Sequence, residues 1–187
     1  MTLPIIPIDD YLTQQGSKMD FIFREFADGN ITIRQWRDEM AAYIRETHIR
    51  ASVIARDGQR SPLLQRVQLW AQREKKIREQ TRYLNQWVKQ IEAGEQNAAS
   101  LLGQLRARAR LYANNARDTW EKTGVLVAKA RGMTEKRRVL GPSKEPCPDC
   151  VQQARLGWVP IDDPSVTGTA DWSTQCGPGC NCTIEYR

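Results

Sequence analysis

Every cysteine of the chain lies between residues 147 and 182, as Cys147-Pro-Asp-Cys150, a gap of 25 residues, and Cys176-Gly-Pro-Gly-Cys180-Asn-Cys182. So short a tail cannot build a hydrophobic core, and the thiols constrain its fold most. Two thiols three apart on a Pro-containing turn, closed by a second group gathered at a Gly-Pro-Gly bend, have the layout of a tetrahedral four-thiolate site for structural Zn2+. Five candidates stand for four positions. Cys147 and Cys150 form one pair, because a two-residue gap lets both sulfurs face one point. Cys176 and Cys180 can form the other, and Cys182 can replace either, since Cys180 and Cys182 point to the same side of an extended segment. The alternatives are unbound thiols or disulfides, and a C-x-x-C dithiol oxidoreductase, whose reactive thiol follows a strand and caps a helix within a βαβ framework. Here helices come first and the tail is rich in loops. A closed zinc site leaves no open coordination position, so metal catalysis is not expected.

Other functions are bounded by composition. Of the 187 residues, 40% are hydrophobic and 27% charged, with a mean hydropathy of −0.62. That is room for one helical domain and an appendage, and it argues against wholesale disorder. No apolar run approaches the ~20 residues that span a bilayer, and Met1 to Asp10 lacks the basic and apolar regions of a secretory signal. A reducing cytoplasm is therefore expected, where clustered thiols are more often metal ligands than disulfides.

The net charge of +6 conceals an uneven distribution. Residues 1–61 carry 8 Lys+Arg against 9 Asp+Glu, residues 62–138 carry 17 against 7, and residues 139–187 carry 3 against 6. The central block suits a polyanion or an acidic partner surface. The alternative is a pair of solvated helices kept soluble by their charges.

The expected fold is mainly α: a helical domain with a long αα-hairpin, followed by a small C-terminal zinc-bound loop and β module. Residues 1–16 read as an extended arm, since Pro4 and Pro7 bias their neighbours toward β or polyproline conformations and Gly16 ends the stretch. Residues 17–132 read as the helical domain and 133–187 as the cysteine-rich module. The first helix is expected from about Lys18 to Ala27, capped by Ser17. Thr32 and Gln35 form a capping box for the next, with Ile31 and Trp36 as a hydrophobic staple. Its stripe of Ile33, Trp36, Met40, Tyr43, Ile44, Thr47, Ala51 and Ile54 is amphipathic. His48, the only histidine, sits beside that stripe as a hydrogen-bonded packing residue.

Ser61-Pro62 opens a helix with Leu63, Trp70, Ile77, Leu84 and Ile91 at heptad spacing. Val67, Glu74, Thr81 and Val88 fill the alternate seam positions. Past Gly94 a second helix, carrying Ala98, Leu102, Leu105, Ala109, Tyr112 and Ala116 on one face, runs from about Glu95 to Trp120 or beyond. Val125-Leu-Val-Ala128 either continues it or begins a strand. Arg106, Arg108, Arg110 and Arg117 cannot all point inward and are expected to form a basic outer surface able to contact phosphates. A strand near Val139, loops over 157–171 and a closing strand at Thr183 to Tyr186 complete the chain.

Several of these residues occur together in one known pattern: Gly29-Asn-Ile-Thr-Ile-Arg-Gln-Trp36, Met40, His48, Ala55-Arg-Asp-Gly58, Arg138-Val-Leu-Gly141, Cys147-Pro-Asp-Cys150, Gly157 and the terminal Cys-x-Cys. From residue 29 onward the chain resembles the minor head proteins of tailed bacteriophages, the Mu-type head morphogenesis family. That family commonly ends in His-Pro-x-Cys-Arg-Cys after an upstream C-x-x-C. Here cysteine stands for histidine, one residue is added and asparagine replaces arginine. The resemblance implies a virion component inside the capsid, made in the host cytoplasm and bound to the portal protein and other head components. It also implies handling of DNA at the exit channel, without enzymatic activity or a small-molecule substrate. The rival is a zinc-containing nucleic-acid-binding regulator, against which stands the net negative charge of the cysteine module.

Overall fold

The structure, a computed structural model, describes residues 7–56, 63–94, 98–142, 145–168, 174–177 and 180–187. Within the helices, the side chains of 63–65, 98–102, 104–106 and 108–110 lie outside that description. The order is α1 (Ile8–Ala27), α2 (Ile33–Ile54), α3 (Leu63–Glu92), α4 (Ala98–Ala130), β1 (Glu135–Val139), α5 (Pro148–Arg155), β2 (Val159–Pro160) and β3 (Thr183–Tyr186). The fold is thus mainly helical, with a small C-terminal sheet. No helix among the described residues is long and apolar enough to cross a membrane.

The expected arm is corrected from residue 8 on: α1 begins at Ile8, with extended Pro7 as its N-cap and Asp9 and Asp10 in the first turn, where the helix dipole favours them. An apolar stripe of Ile8, Tyr11, Leu12, Met19, Ile22 and Phe23 runs straight through Gly16 and is buried. Glycine inside a helix costs roughly 1 kcal/mol, whereas each of those side chains returns roughly 1.5–3 on burial. Ser17 is accordingly no cap; its hydroxyl donates to the Thr13 carbonyl at 3.2 Å inside the helix. Gly29 (φ 77) ends α1 in the left-handed conformation. The N–H of Gly29 returns to Phe26 and that of Asn30 to Glu25, closing a Schellman turn.

For α2 the expected start holds: the Thr32 hydroxyl accepts from the Gln35 N–H, and the Gln35 side chain accepts from the Thr32 N–H. Ile31 packs on the cluster that contains Trp36. That cluster joins Met19, Phe23, Trp36, Met40, Ile44, Leu84, Val88 and Tyr112 from all four long helices. A second joins Ile8, Tyr11 and Leu12 to Ala51, Ile54 and Ala116, where alanines let α1, α2 and α4 approach closely.

The caps at Ser61-Pro62 lie outside the described residues. On α3 the heptad seam holds at its far end, where Ile77, Leu84 and Val88 are buried, and fails near its start. Trp70 is 55% and Val67 56% exposed, while Leu69 is buried in their stead. A two-stranded seam is the wrong template, because α3 packs against both α2 and α4. α4 runs through Val125 to Ala128 to Ala130, which decides the open alternative in favour of helix.

His48 is fully buried. Its Nδ1 stands 2.6 Å from the Thr119 hydroxyl and its Nε2 stands 3.3 Å from Gln80 Oε1, which ties α2 to α3 and α4.

The sheet has the order β2-β1-β3 and is antiparallel throughout. Strand alternation sends Arg137 to one face and Arg138 to the other. On the first face Arg137 pairs with Glu185 and Arg187 with Glu135, and both guanidiniums lie over Trp158, 4.7 and 4.5 Å from its ring centre. The sheet rests on α4 through Tyr186, whose hydroxyl oxygen stands 4.0 Å from where a Cβ on Gly124 would lie.

Candidate metal centre

The first thiol pair lies at the start of α5 rather than on an isolated turn. Cys147 is the N-cap, in extended conformation and with no side-chain capping bond, and Pro148 opens the helix where its missing N–H costs nothing. Cys150 stands one turn along, so both sulfurs lie at the positive end of the helix. The second group is drawn in by backbone contacts: the Gln175 N–H donates to the Asp149 carboxylate at 2.9 Å, and the chain turns at Gly177 (φ 48).

The sulfurs converge. Cys176 Sγ is 3.4 Å from both Cys147 Sγ and Cys150 Sγ, and Cys150 Sγ is 3.6 Å from Cys180 Sγ. Cys147, Cys150 and Cys176 form one group whose sulfurs all lie within 4.8 Å of one another; Cys150, Cys180 and Cys182 form another. Around a tetrahedral ion with bonds of about 2.3 Å, sulfurs stand roughly 3.8 Å apart, close to what the site offers. Cys150, Cys180 and Cys182 are buried while Cys147 and Cys176 are partly exposed. All five residues expected from the sequence are thus brought together in a cluster able to hold a metal ion.

Arg138, which the sequence reading did not single out as a site residue, completes the cluster. It is 2% exposed, and its Nη1 donates to Cys150 Sγ at 3.3 Å and to Cys180 Sγ at 3.4 Å. Its Nη2 donates to the carbonyls of Thr167 and Gly168, and its Nε to Gln153 Oε1. A buried guanidinium with every nitrogen engaged brings positive charge against the negative charge that bound thiolates would concentrate. Period-two alternation along β1 could have assigned Arg138 to the face opposite Arg137, although nothing local says which face meets the thiols.

Gly141 is a second missed residue. A Cβ there would lie 2.0 Å from the Asn181 carbonyl oxygen, so only glycine lets the segment between Cys180 and Cys182 pass. Its backbone also hydrogen-bonds the Cys182 thiol.

Electrostatics divides the thiols. Burial and the neighbouring thiols push Cys150 well above the ordinary range, with Arg138 opposing, and burial raises Cys180 to about 11. Burial also acts on Cys176 and Cys182, but it is outweighed at Cys176 by the Thr174 hydroxyl and adjoining thiols, and at Cys182 by Gly141, the adjoining thiols and Arg138. Both are lowered. Arg138 is raised, its burial outweighed by Cys150, Cys180 and Cys182.

The dithiol alternative gains a local element, since Cys147 does cap a helix that follows a strand. Its framework is still missing: β1 and β2, on either side of α5, pair antiparallel, not as a βαβ unit.

The basic surface expected on α4 is corrected at Arg117. This residue is 7% exposed and pairs with Asp9 of α1, because its position follows Ala113 and Ala116 on the inward face. The side chains of Arg106, Arg108 and Arg110 lie outside the described residues. No family model, curated protein or solved structure matches the chain.

Proposed function

We propose that the chain is a non-enzymatic structural protein of a tailed-phage head, bound to the portal inside the capsid, whose C-terminal module is stapled by one Zn2+. The gathering of five thiols into two groups that share Cys150 carries the metal part of this reading. Cys147, Cys150 and Cys176 supply three ligands, and Cys180 or Cys182 the fourth. Zn2+ suits four thiolates in a reducing compartment and, so coordinated, holds α5 to the terminal strand without offering a position to substrate. Arg138 and the backbone around Gly141 orient the sulfurs and offset their charge. The head assignment draws its support from the sequence pattern running from Gly29 to the terminal Cys-x-Cys.

Protein purified under reducing conditions should carry about one zinc per chain, and chelation should loosen residues 133–187 while the far-ultraviolet helical signal persists. Absence of zinc, with Cys147 and Cys150 both freely alkylated in the native state, would overturn the staple. The head role is tested by mass spectrometry of purified virions; particles that lack the chain, or a chain that never co-purifies with portal, would overturn it even if zinc is present.

A further inference from the structure

One strongly basic surface belongs to neither the metal centre nor the arginines expected on α4. It follows the seam between α2 and α3. Arg66, Trp70, Arg73, Ile77 and Thr81 succeed one another at steps of three and four residues and form one stripe of α3. The first half of that stripe opposes Ser52 and Arg56 across a groove of about 600 Å³, and the second half opposes Arg45 across one of about 540 Å³. Among the described residues, no carboxylate lines either groove.

The cations of the first groove are short of partners. Arg56 Nε donates to the Ser52 carbonyl at 3.0 Å, and among the described residues it meets no carboxylate. Arg73 Nε is buried without a hydrogen-bond partner, and Arg73 reaches Glu74 only at 3.7 Å, that carboxylate being engaged by Arg45 at 3.0 and 3.1 Å. Burial, and then the charge of Arg73, depresses Arg56, as expected of guanidiniums crowded without an anion. Trp70, flanked on the stripe by Arg66 and Arg73, exposes 55% of its surface. In the second groove Arg78, Arg82 and Lys89 continue the charge, and Arg82 lies over the half-exposed ring of Tyr83.

We propose that this seam binds single-stranded nucleic acid, its phosphates held by Arg56, Arg66 and Arg73 and a base stacked on Trp70, with the strand continuing past Arg78, Arg82 and Lys89. The exposed indole between cations favours a single strand over a duplex: unpaired bases are free to stack on Trp70, whereas the bases of a duplex are already stacked on one another. Over an acidic peptide, the favouring feature is the second groove. It carries the charge onward through Arg78, Arg82 and Lys89, and a nucleic-acid backbone repeats its charge along the roughly 35 Å from Arg66 to Lys89 at 1.5 Å per residue. Stacking on aromatics interleaved with cations is the sequence-tolerant mode that single-strand binders use. This inference needs neither the metal nor a portal.

The test uses the full zinc-loaded chain and a fluorescein-labelled oligothymidylate, read by anisotropy across a salt series, beside a duplex of equal length and polyglutamate. Binding of the oligothymidylate should be tighter than that of the duplex and should fall with salt by about 0.7 log units per phosphate contacted. Trp70→Ala should weaken it roughly tenfold. Arg56→Gln, Arg66→Gln and Arg73→Gln together should lower the slope by about 2. Trp70 and Arg66 are exposed, so the pair Trp70→Ala, Arg66→Gln keeps the test open should the triple variant not fold. Absence of binding at low salt, equal affinity for the duplex with no effect of Trp70→Ala, or preference for polyglutamate would each overturn the proposal. Zinc content is unaffected by any of these outcomes, so failure here is distinct from failure of the staple.

Discussion

Acid should destabilise this fold through His48, and replacing that residue should remove a defined part of the effect. His48 is neutral near pH 7 because burial depresses its pKa from 6.5 to about 4; hydrogen bonding to Gln80 and the charge of Asp118 oppose this, while Lys76 and Arg73 reinforce it. Neutral imidazole with its proton on Nε2 suits both neighbours, donating to Gln80 and accepting from the Thr119 hydroxyl. As pH falls below about 6.5 the unfolded chain binds a proton there and the native chain does not, so stability falls with pH until about pH 4. Each pH unit is worth about 1.4 kcal/mol, which gives roughly 2 kcal/mol between pH 7 and pH 5 and about 3 kcal/mol over the whole window. His48→Gln retains a buried polar group that does not titrate. Urea unfolding of the two proteins, purified identically under reducing conditions, between pH 7 and pH 4.5 isolates the residue, since the cysteines and carboxylates are the same in both. The variant should be less stable at pH 7 by about 1–3 kcal/mol for the disturbed hydrogen bonds, and the difference should shrink by about 2 kcal/mol at pH 5. A difference independent of pH, or an imidazole resonance titrating near 6.5 in the native protein, would refute the argument.

Removal of residues 1–16 should unfold the helical domain rather than merely trim an extended arm. It deletes the buried Ile8, Tyr11 and Leu12, together worth roughly 5–8 kcal/mol, which matches the whole stability of many domains. A truncated chain with a cooperative melt within a few degrees of the full chain would contradict this. Gly141→Ala drives a methyl group into the Asn181 backbone between two thiols, so if the proposed Zn2+ is bound, its affinity in a chelator competition should drop tenfold or more with helix content unchanged; unaltered affinity would show that the segment can shift at little cost.

What the sequence disclosed depended on how local the physics was. The start of α2 was legible because its capping box is complete within Thr32 to Gln35, and its stripe repeats on one face for the length of the helix. The N-terminus misled because Pro7 and Gly16 act locally while the reward for ignoring them is non-local: Ile8 and Leu12 gain their stabilisation against Ala51, Ile54 and Ala116. Trp70 misled for a related reason. Heptad spacing specifies a seam only for a two-stranded partner, and α3 has two neighbours, which turn its buried face toward Leu69 and leave the indole outside. From sequence Arg117 belongs on the outer surface because charge usually does, and the partner that lets it face inward, Asp9, lies 108 positions earlier in the chain.

The metal centre divides along the same line. The clustering of its thiols could be read from spacing, since a two-residue gap between thiols restricts where both sulfurs can point whatever surrounds them. The residues that pack around the thiols could not, because Arg138 and Gly141 reach them through contacts made only when β1 and the terminal strand pair. Register supplies the connection: Arg138 lies opposite Ile184 and Val139 opposite Thr183, which brings Gly141 alongside Asn181 and points Arg138 at Cys150 and Cys180. A one-residue slip would exchange Arg138 for Arg137, put an ion-paired surface arginine among the sulfurs and drive the Gly141 contact out of place. Sheet pairing and thiol geometry therefore specify one another, and a metal that fixes the sulfurs also fixes the register of the sheet through which the module rests on α4.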